Sequence, residues 1–205
     1  MNVVGLGDAG CNIADAFTQY PQYKIYKINV DIEGERCYNI SKCETAEEYE
    51  NVSLPKIKTF FKEMKGETLF VVGGSGKISC ASLRILENFK KLKNYIKKLM
   101  KQRVVCGVLQ EYTRSGVFER MIIVSNPLVE SVIGGAPIIG YYDKLNETIV
   151  STIHMINVCE NTKPVMGKIP DPKITHRIVS LGMLDVEQGE EKMFFSLDSP
   201  RERCY

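Results

Sequence analysis

Apolar and polar positions alternate along this chain in blocks that read as strand, helix, strand. Residues 2–6, NVVGL, form a short apolar strand running into glycines. Residues 10–20 carry Ile13, Ala14 and Phe17 at helical spacing, and Pro21 ends that element. Residues 23–30, YKIYKINV, read as a second strand. Residues 31–53 are polar, with an acidic cluster at 44–50. The next helix is expected at 54–65, where Pro55 suits a first turn and Ile57, Phe60, Phe61 and Met64 share a face. Residues 68–74 are a continuous apolar run, as in a strand buried on both faces. Leu83, Leu86, Phe89, Leu92, Tyr95, Ile96 and Leu99 recur at threes and fours and predict one long helix, or two joined ones, over 79–102. Strands are expected at 103–109 and 120–125. A helix follows from Pro137 to Val158, with Ile138, Tyr141, Leu145, Ile149 and Ile153 on one stripe. Residues 162–172 contain three prolines and read as an irregular crossing, and 176–197 read as a β-hairpin. No internal repeat is visible.

This alternation predicts an α/β fold, a mostly parallel, Rossmann-related sheet with helices on both faces, followed by a short C-terminal β-hairpin. The expected organisation is one domain over 1–160, then a linker and hairpin over 161–205. At 205 residues, 44% hydrophobic and 25% charged, the chain suits one sizeable core and excludes disorder and low-complexity classes. The net charge of +2 makes no case for nucleic acid. No apolar run has the roughly 18 residues of a membrane span, and the start enters a strand without a basic leader, so a cytoplasmic protein is expected. Seven cysteines, none at C-x-x-C spacing, and two histidines, His154 and His176, read as reduced core thiols without a metal site or nucleophile motif.

Two glycine loops lie at expected strand ends, where ligands bind in such folds. Gly5-Leu6-Gly7-Asp8-Ala9-Gly10 fits G-x-G-x-x-G between a strand and a helix. Glycines there let the backbone approach a phosphate, and free N–H groups at the helix start face the anion. A glycine-rich turn without a ligand has the same sequence. Asp31 closes the second strand where a ribose-binding carboxylate would stand. The second loop is Gly73-Gly74-Ser75-Gly76-Lys77-Ile78-Ser79. Ile78 stands where a Walker A motif needs Ser or Thr, so this is a backbone nest rather than a P-loop. Two such loops on one sheet suggest a phosphate chain between two helix starts.

The series of segments resembles the tubulin/FtsZ superfamily over residues 2 to about 158. VVGLGDAGCNIADAF is similar to the first phosphate loop of FtsZ, whose glycine-rich turn ends in an asparagine, here Asn12. YKIYKINVD resembles the strand that ends in Asn29 and Asp31, and VVGGSGK stands at the superfamily's glycine signature. IIVSNPLVESV resembles the strand whose following asparagine, Asn126, contacts guanine. Tyr142-Asp143-Lys144-Leu145-Asn146 resembles the start of tubulin's central helix, where an aromatic ring stacks on the base and an asparagine bonds it. Positions i and i+4 share a helix face, so Tyr142 and Asn146 can meet one ring. On the helix alone, a core tyrosine and a solvated asparagine fit as well.

The resemblance implies binding of GTP or GDP, with magnesium as the companion ion. The contact residues would be Gly7, Asp8, Ala9, Gly10, Cys11, Asn12, Asp31, Gly73, Gly74, Ser75, Gly76, Lys77, Asn126, Tyr142 and Asn146. It also implies partnership with copies of itself, as a homo-oligomer or filament, or with a larger assembly. Lys77, Ile78 and Ser79 depart from the family's Thr and Gly. Its acidic hydrolysis loop has only a faint echo in Asn157-Val158-Cys159-Glu160, so slow or absent hydrolysis is expected. Two other readings stay open: a structural or assembly protein of this fold, viral or cellular, that has lost its nucleotide, and an NAD-dependent oxidoreductase resting on the first loop and Asp31. The basic stretch 89–103 reads as an amphipathic helix with a cationic face, which the acidic clusters 44–50 and 185–191 of another copy would complement.

Overall fold

The computed structural model describes residues 1–74, 76–90, 97–100, 104–133, 139–162 and 177–181; for Lys90, 97–100, 104–106, 131 and 132 it gives the backbone only. Strand β1 (Asn2–Leu6) leads into α1 (Gly7–Ala16), then β2 (Lys24–Asn29), β3 (Cys37–Asn39), α2 (Ala46–Glu50), α3 (Ile57–Lys62) and β4 (Thr68–Val72). A 3-10 turn, Lys77–Ala81, opens into α4 (Ser82–Lys90). There follow β5 (Lys97–Met100), α5 (Val104–Arg114), β6 (Arg120–Val124), α6 (Asn126–Ile133), α7 (Tyr141–Asn161) and β7 (Ile178–Leu181).

The strands form one sheet in the order β3-β2-β1-β4-β5-β6-β7, and every pairing is parallel. Strand alternation divides the core between the two faces. Val4, Leu6, Tyr26, Ile28, Phe70 and Val72 pack with Ile57, Phe61, Ile85, Phe89 and Leu109, residues of α3, α4 and α5. Val3, Leu69, Val71, Ile122 and Val124 pack on the other face with Ala14 of α1, Val129 of α6, and Leu145, Ile149, Val150 and Ile153 of α7. Of the stripe expected on this helix, Leu145, Ile149 and Ile153 are buried and Tyr141 packs beside them, while Ile138 lies outside the described residues. The parallel sheet with helices on both faces agrees with the sequence pattern.

Two expected elements are corrected. The long helix over 79–102 ends at Lys90 in α4, and Lys97–Met100 is a central strand paired with β4 and β6. The basic stretch 89–103 is accordingly not one amphipathic helix; residues 91–96 and 101–103 lie outside the described residues. Of the expected strand 103–109, residues 104–109 fall in helix α5, whose Leu109 and Thr113, one turn apart, are both fully buried; residue 103 lies outside the described residues. Parallel β5 and β6 need a crossover between them, and α5 supplies it. Of the expected C-terminal hairpin, residues 178–181 are β7, parallel to β6, while 182–205 lie outside the described residues. No described helix is long and apolar enough to cross a membrane.

Chain direction in the sheet reverses at β1: the path runs outward through β2 and β3, then returns to β4 on the other side. Leu6 registers against Val72, so the loops after β1 and β4 emerge side by side. At such a switch point two loops splay apart and leave a crevice at the carboxyl ends of the strands.

Candidate functional site

The crevice holds two adjoining cavities. The larger, about 530 Å³, lies under the loops after β1, β2 and β4 and is lined by Gly7, Asp8, Asp31, Gly76, Lys77 and the 42–44 segment, among others. The smaller, about 290 Å³, lies between α1, the end of β6 and the start of α7, and its walls include Asn12, Ile13, Asn126, Tyr142 and Asn146. Asp8, Ala9 and Gly73 line both.

Local sequence explains these walls. Gly7 begins α1 at φ +70, a conformation that glycine adopts without strain. No side chain caps α1, whose N-cap is Leu6, so its first N–H groups have no side-chain cap. Gly10 lets α1 lie against β4, since a Cβ there would stand 2.5 Å from the Val71 carbonyl oxygen. The end of β2 is tied by amides. Asn29 Nδ2 donates to Asp8 Oδ1 at 2.7 Å, and its Oδ1 accepts from the Val30 N–H. Asp31, at φ +52, has its own N–H held by Asn39 Oδ1.

The 42–44 segment is held from two sides. Tyr49 Oη accepts from the Cys43 N–H, and a Glu48 carboxylate oxygen accepts from the Glu44 N–H. Lys77 Nζ donates to the Glu44 carbonyl at 2.7 Å, spanning from the second glycine loop to this segment. Ser79 Oγ donates to the Gly76 carbonyl and closes the 3-10 turn.

The base of α6 carries the site's unmatched group. Asn126 Oδ1 is buried and has no hydrogen-bond partner among the described residues, although its residue lines the smaller cavity. Tyr142 and Asn146 stand one turn apart in the same wall, and Tyr142 is 69% exposed. This cavity therefore combines an apolar floor (Ile13, Val71, Val72, Leu145, Ile149) with a ring and amides at its rim.

Of the residues singled out from sequence, Gly7, Asp8, Ala9, Asp31, Gly73, Gly76 and Lys77 meet at the larger cavity, and Asn12, Asn126, Tyr142 and Asn146 at the smaller. Gly10 and Cys11 are buried behind the loop. The Cys11 thiol faces the Gly5 and Ile28 carbonyls, and burial pushes its pKa up to about 12. Gly74 is not among the lining residues, and Ser75 lies outside the described residues. Glu160 forms an ion pair with Arg120, which is 9% exposed at the opposite end of β6. It is about 21 Å along α7 from Asn146 at 1.5 Å per residue, so in its own chain it does not reach the crevice. His154 stacks on Tyr20 and bonds Tyr23 Oη, away from both cavities, and His176 lies outside the described residues. The described cysteines, Cys11, Cys37, Cys43, Cys80 and Cys159, are free thiols. No cluster of three or more metal-ligating side chains occurs among the described residues.

Lys42, Cys43, Glu44 and Tyr49 also line the larger cavity; the sequence pattern left Lys42 and Cys43 in a polar connection and put Glu44 and Tyr49 in the acidic cluster 44–50. The signal was Thr45-x-x-Glu48, a helix-start pattern; Thr45 Oγ1 accepts from the Glu48 N–H at the start of α2.

No protein-family model and no curated protein sequence matches the chain. Solved structures do. An empty FtsZ dimer from M. jannaschii superposes with a TM-score of 0.62 at 14% identity, over 89% of this chain and 61% of that one. CetZ2 from Haloferax volcanii, in a GTPγS-bound protofilament, superposes with a TM-score of 0.61 at 14% identity, over 87% of this chain and 64% of that one. This chain thus spans less than two thirds of either neighbour. Such low identity carries the architecture alone, and the agreement extends over nearly all of this chain: its fold is like that of FtsZ and CetZ2.

Proposed function

We propose that this protein binds a guanine nucleotide, GTP or GDP, with its phosphates in the larger cavity and its base in the smaller. The observation that carries the reading is Asn126 Oδ1, a buried acceptor without a donor in the wall it shares with Tyr142 and Asn146. An acceptor left so costs about 1–3 kcal/mol, and the N–H groups of a guanine edge would offset that cost. Tyr142 supplies the ring for stacking, and Asn146 supplies an amide with both donor and acceptor. Phosphates would lie against the turn from Gly7 to Asn12, at the uncapped start of α1, and against the loop from Gly73 to Lys77.

Asp31 would reach the ribose or a magnesium shell. With no clustered ligand set among the described residues, magnesium would enter on the phosphates, with Asp8 or Asp31 completing its shell. Residues 1–160 carry every proposed contact. Similarity to a FtsZ dimer and a CetZ2 protofilament supports self-association, and a cytoplasmic location is part of the proposal. Hydrolysis by the isolated chain is expected to be slow or absent, because Glu160 is held by Arg120 away from the crevice.

A titration with fluorescent GDP, displaced in turn by GTP, GDP, ATP and NAD, tests the reading. Displacement by guanine nucleotides alone supports it, and displacement by NAD alone turns it toward a dinucleotide enzyme. One observation favours a second reading, a structural protein that has lost its ligand: Asp8, Asp31 and Glu44 line the phosphate side, and Lys77 is already engaged by the Glu44 carbonyl. Absence of any fluorescent GDP binding would select it.

A further inference from the structure

Building on the nucleotide reading, we infer that Lys42 and Lys77 form a two-lysine clamp on the phosphate chain, so that this site recognises its ligand by ammonium charge as well as by backbone N–H groups. The larger cavity is lined by three acidic residues, Asp8, Asp31 and Glu44, against these two lysines. Backbone N–H groups at the start of α1 carry only about half a positive charge together, too little to seat a phosphate chain in a cavity that three acidic residues line. Magnesium on the phosphates would offset Asp8 or Asp31, and the rest of the balance falls to the lysines.

Their placement fits the task. Lys77 follows the second glycine loop, and its ammonium spends one of three N–H donors on the Glu44 carbonyl, leaving two for a ligand. That bond, with those from Tyr49 and Glu48, fixes the segment immediately after Lys42. Lys42 is exposed, lines the cavity, and has no carboxylate partner among the described residues. Both lysines thus line one cavity, Lys77 reaching across from the second glycine loop to the Glu44 carbonyl and Lys42 two residues before it in the 42–44 segment. The chemistry selects a nucleoside di- or triphosphate over the nucleoside.

The test compares GDP and guanosine as competitors of fluorescent GDP for wild type, Lys42→Ala and Lys77→Gln, at low and moderate salt. Lys77→Gln keeps an N–H donor and removes the charge on a side chain one bond shorter, and an unchanged melting temperature separates loss of the clamp from loss of the tether. Each variant is expected to lose about tenfold to a hundredfold in GDP affinity, the scale of one charge-assisted hydrogen bond. Guanosine affinity and the melting temperature should stay at wild-type values, and the salt dependence of GDP binding should flatten. Wild-type GDP affinity in both variants would overturn the clamp while leaving the nucleotide reading in place. Equal losses for GDP and guanosine would also overturn it, since the effect would then be structural. Failure of the wild type to bind GDP would remove the underlying reading and the clamp together.

Discussion

Asn126 and the thiols of Cys43 and Cys11, one in the cavity wall and one buried behind it, show what single residues do at this crevice. Because the Asn126 oxygen is buried and unpartnered, Asn126→Ala should weaken GDP binding by about tenfold or more. The same variant without ligand should melt at the wild-type temperature or above, since an unsatisfied group has been removed. A residue that only packs would show the opposite pair of effects, which calorimetry and titration together resolve. Cys43 lies in the wall of the larger cavity, whereas Cys11 is buried with its pKa pushed up to about 12. At neutral pH, well below that value, Cys11 stays a protonated thiol and should resist iodoacetamide. Cys43 should react, and GDP should slow it; mass spectrometry of the labelled peptides reads both, and equal Cys43 labelling with and without GDP would count against ligand in this cavity. Gly7 was legible from glycine spacing at an expected strand end, whereas Asn126, Tyr142 and Asn146 were reached through the resemblance to the tubulin/FtsZ superfamily, since helix spacing alone fits a core tyrosine and a solvated asparagine equally well. Lys42 and Cys43 were not legible, since they reach the cavity only through contacts from Tyr49, Glu48 and Lys77.

Elements depend on close approach at the β1–α1 turn. Gly10→Ala would set a Cβ 2.5 Å from the Val71 carbonyl oxygen, against backbone that cannot turn aside. It should cost about 1–3 kcal/mol as α1 lifts from β4, or roughly 2–4 °C in melting temperature per kcal/mol for a domain of this size. An unchanged melt would mean that α1 does not sit on β4 as described. The strands β1, β2, β4 and β6 could be read directly, because their apolar runs are bounded by turns. Strand β5 and helix α5 could not. Leu99 continues a helical stripe in the sequence, yet Lys97–Met100 is captured by β4 and β6. Likewise RVVCGVL is as apolar as a strand, and only the need to cross from β5 to β6 makes its residues from Val104 onward a helix.

At the scale of the molecule, the reversal of strand order at β1 decides where a ligand can sit. It brings both glycine loops to one crevice, with α7 running from Tyr142 and Asn146 at that crevice to the Arg120–Glu160 pair at the far end of β6. The sequence foretold the parallel sheet, its glycine loops and the family likeness, but not the order of the strands on which the crevice depends. The central claim is guanine-nucleotide binding, and thermal unfolding of the purified chain with GTP, GDP, ATP and NAD in turn, each with magnesium, tests it most directly. A ligand at about 100 times its Kd adds about 2.7 kcal/mol, roughly 5–10 °C here. That rise is expected with GTP or GDP alone; no rise with either, or an equal rise with ATP or NAD, would contradict guanine-nucleotide binding.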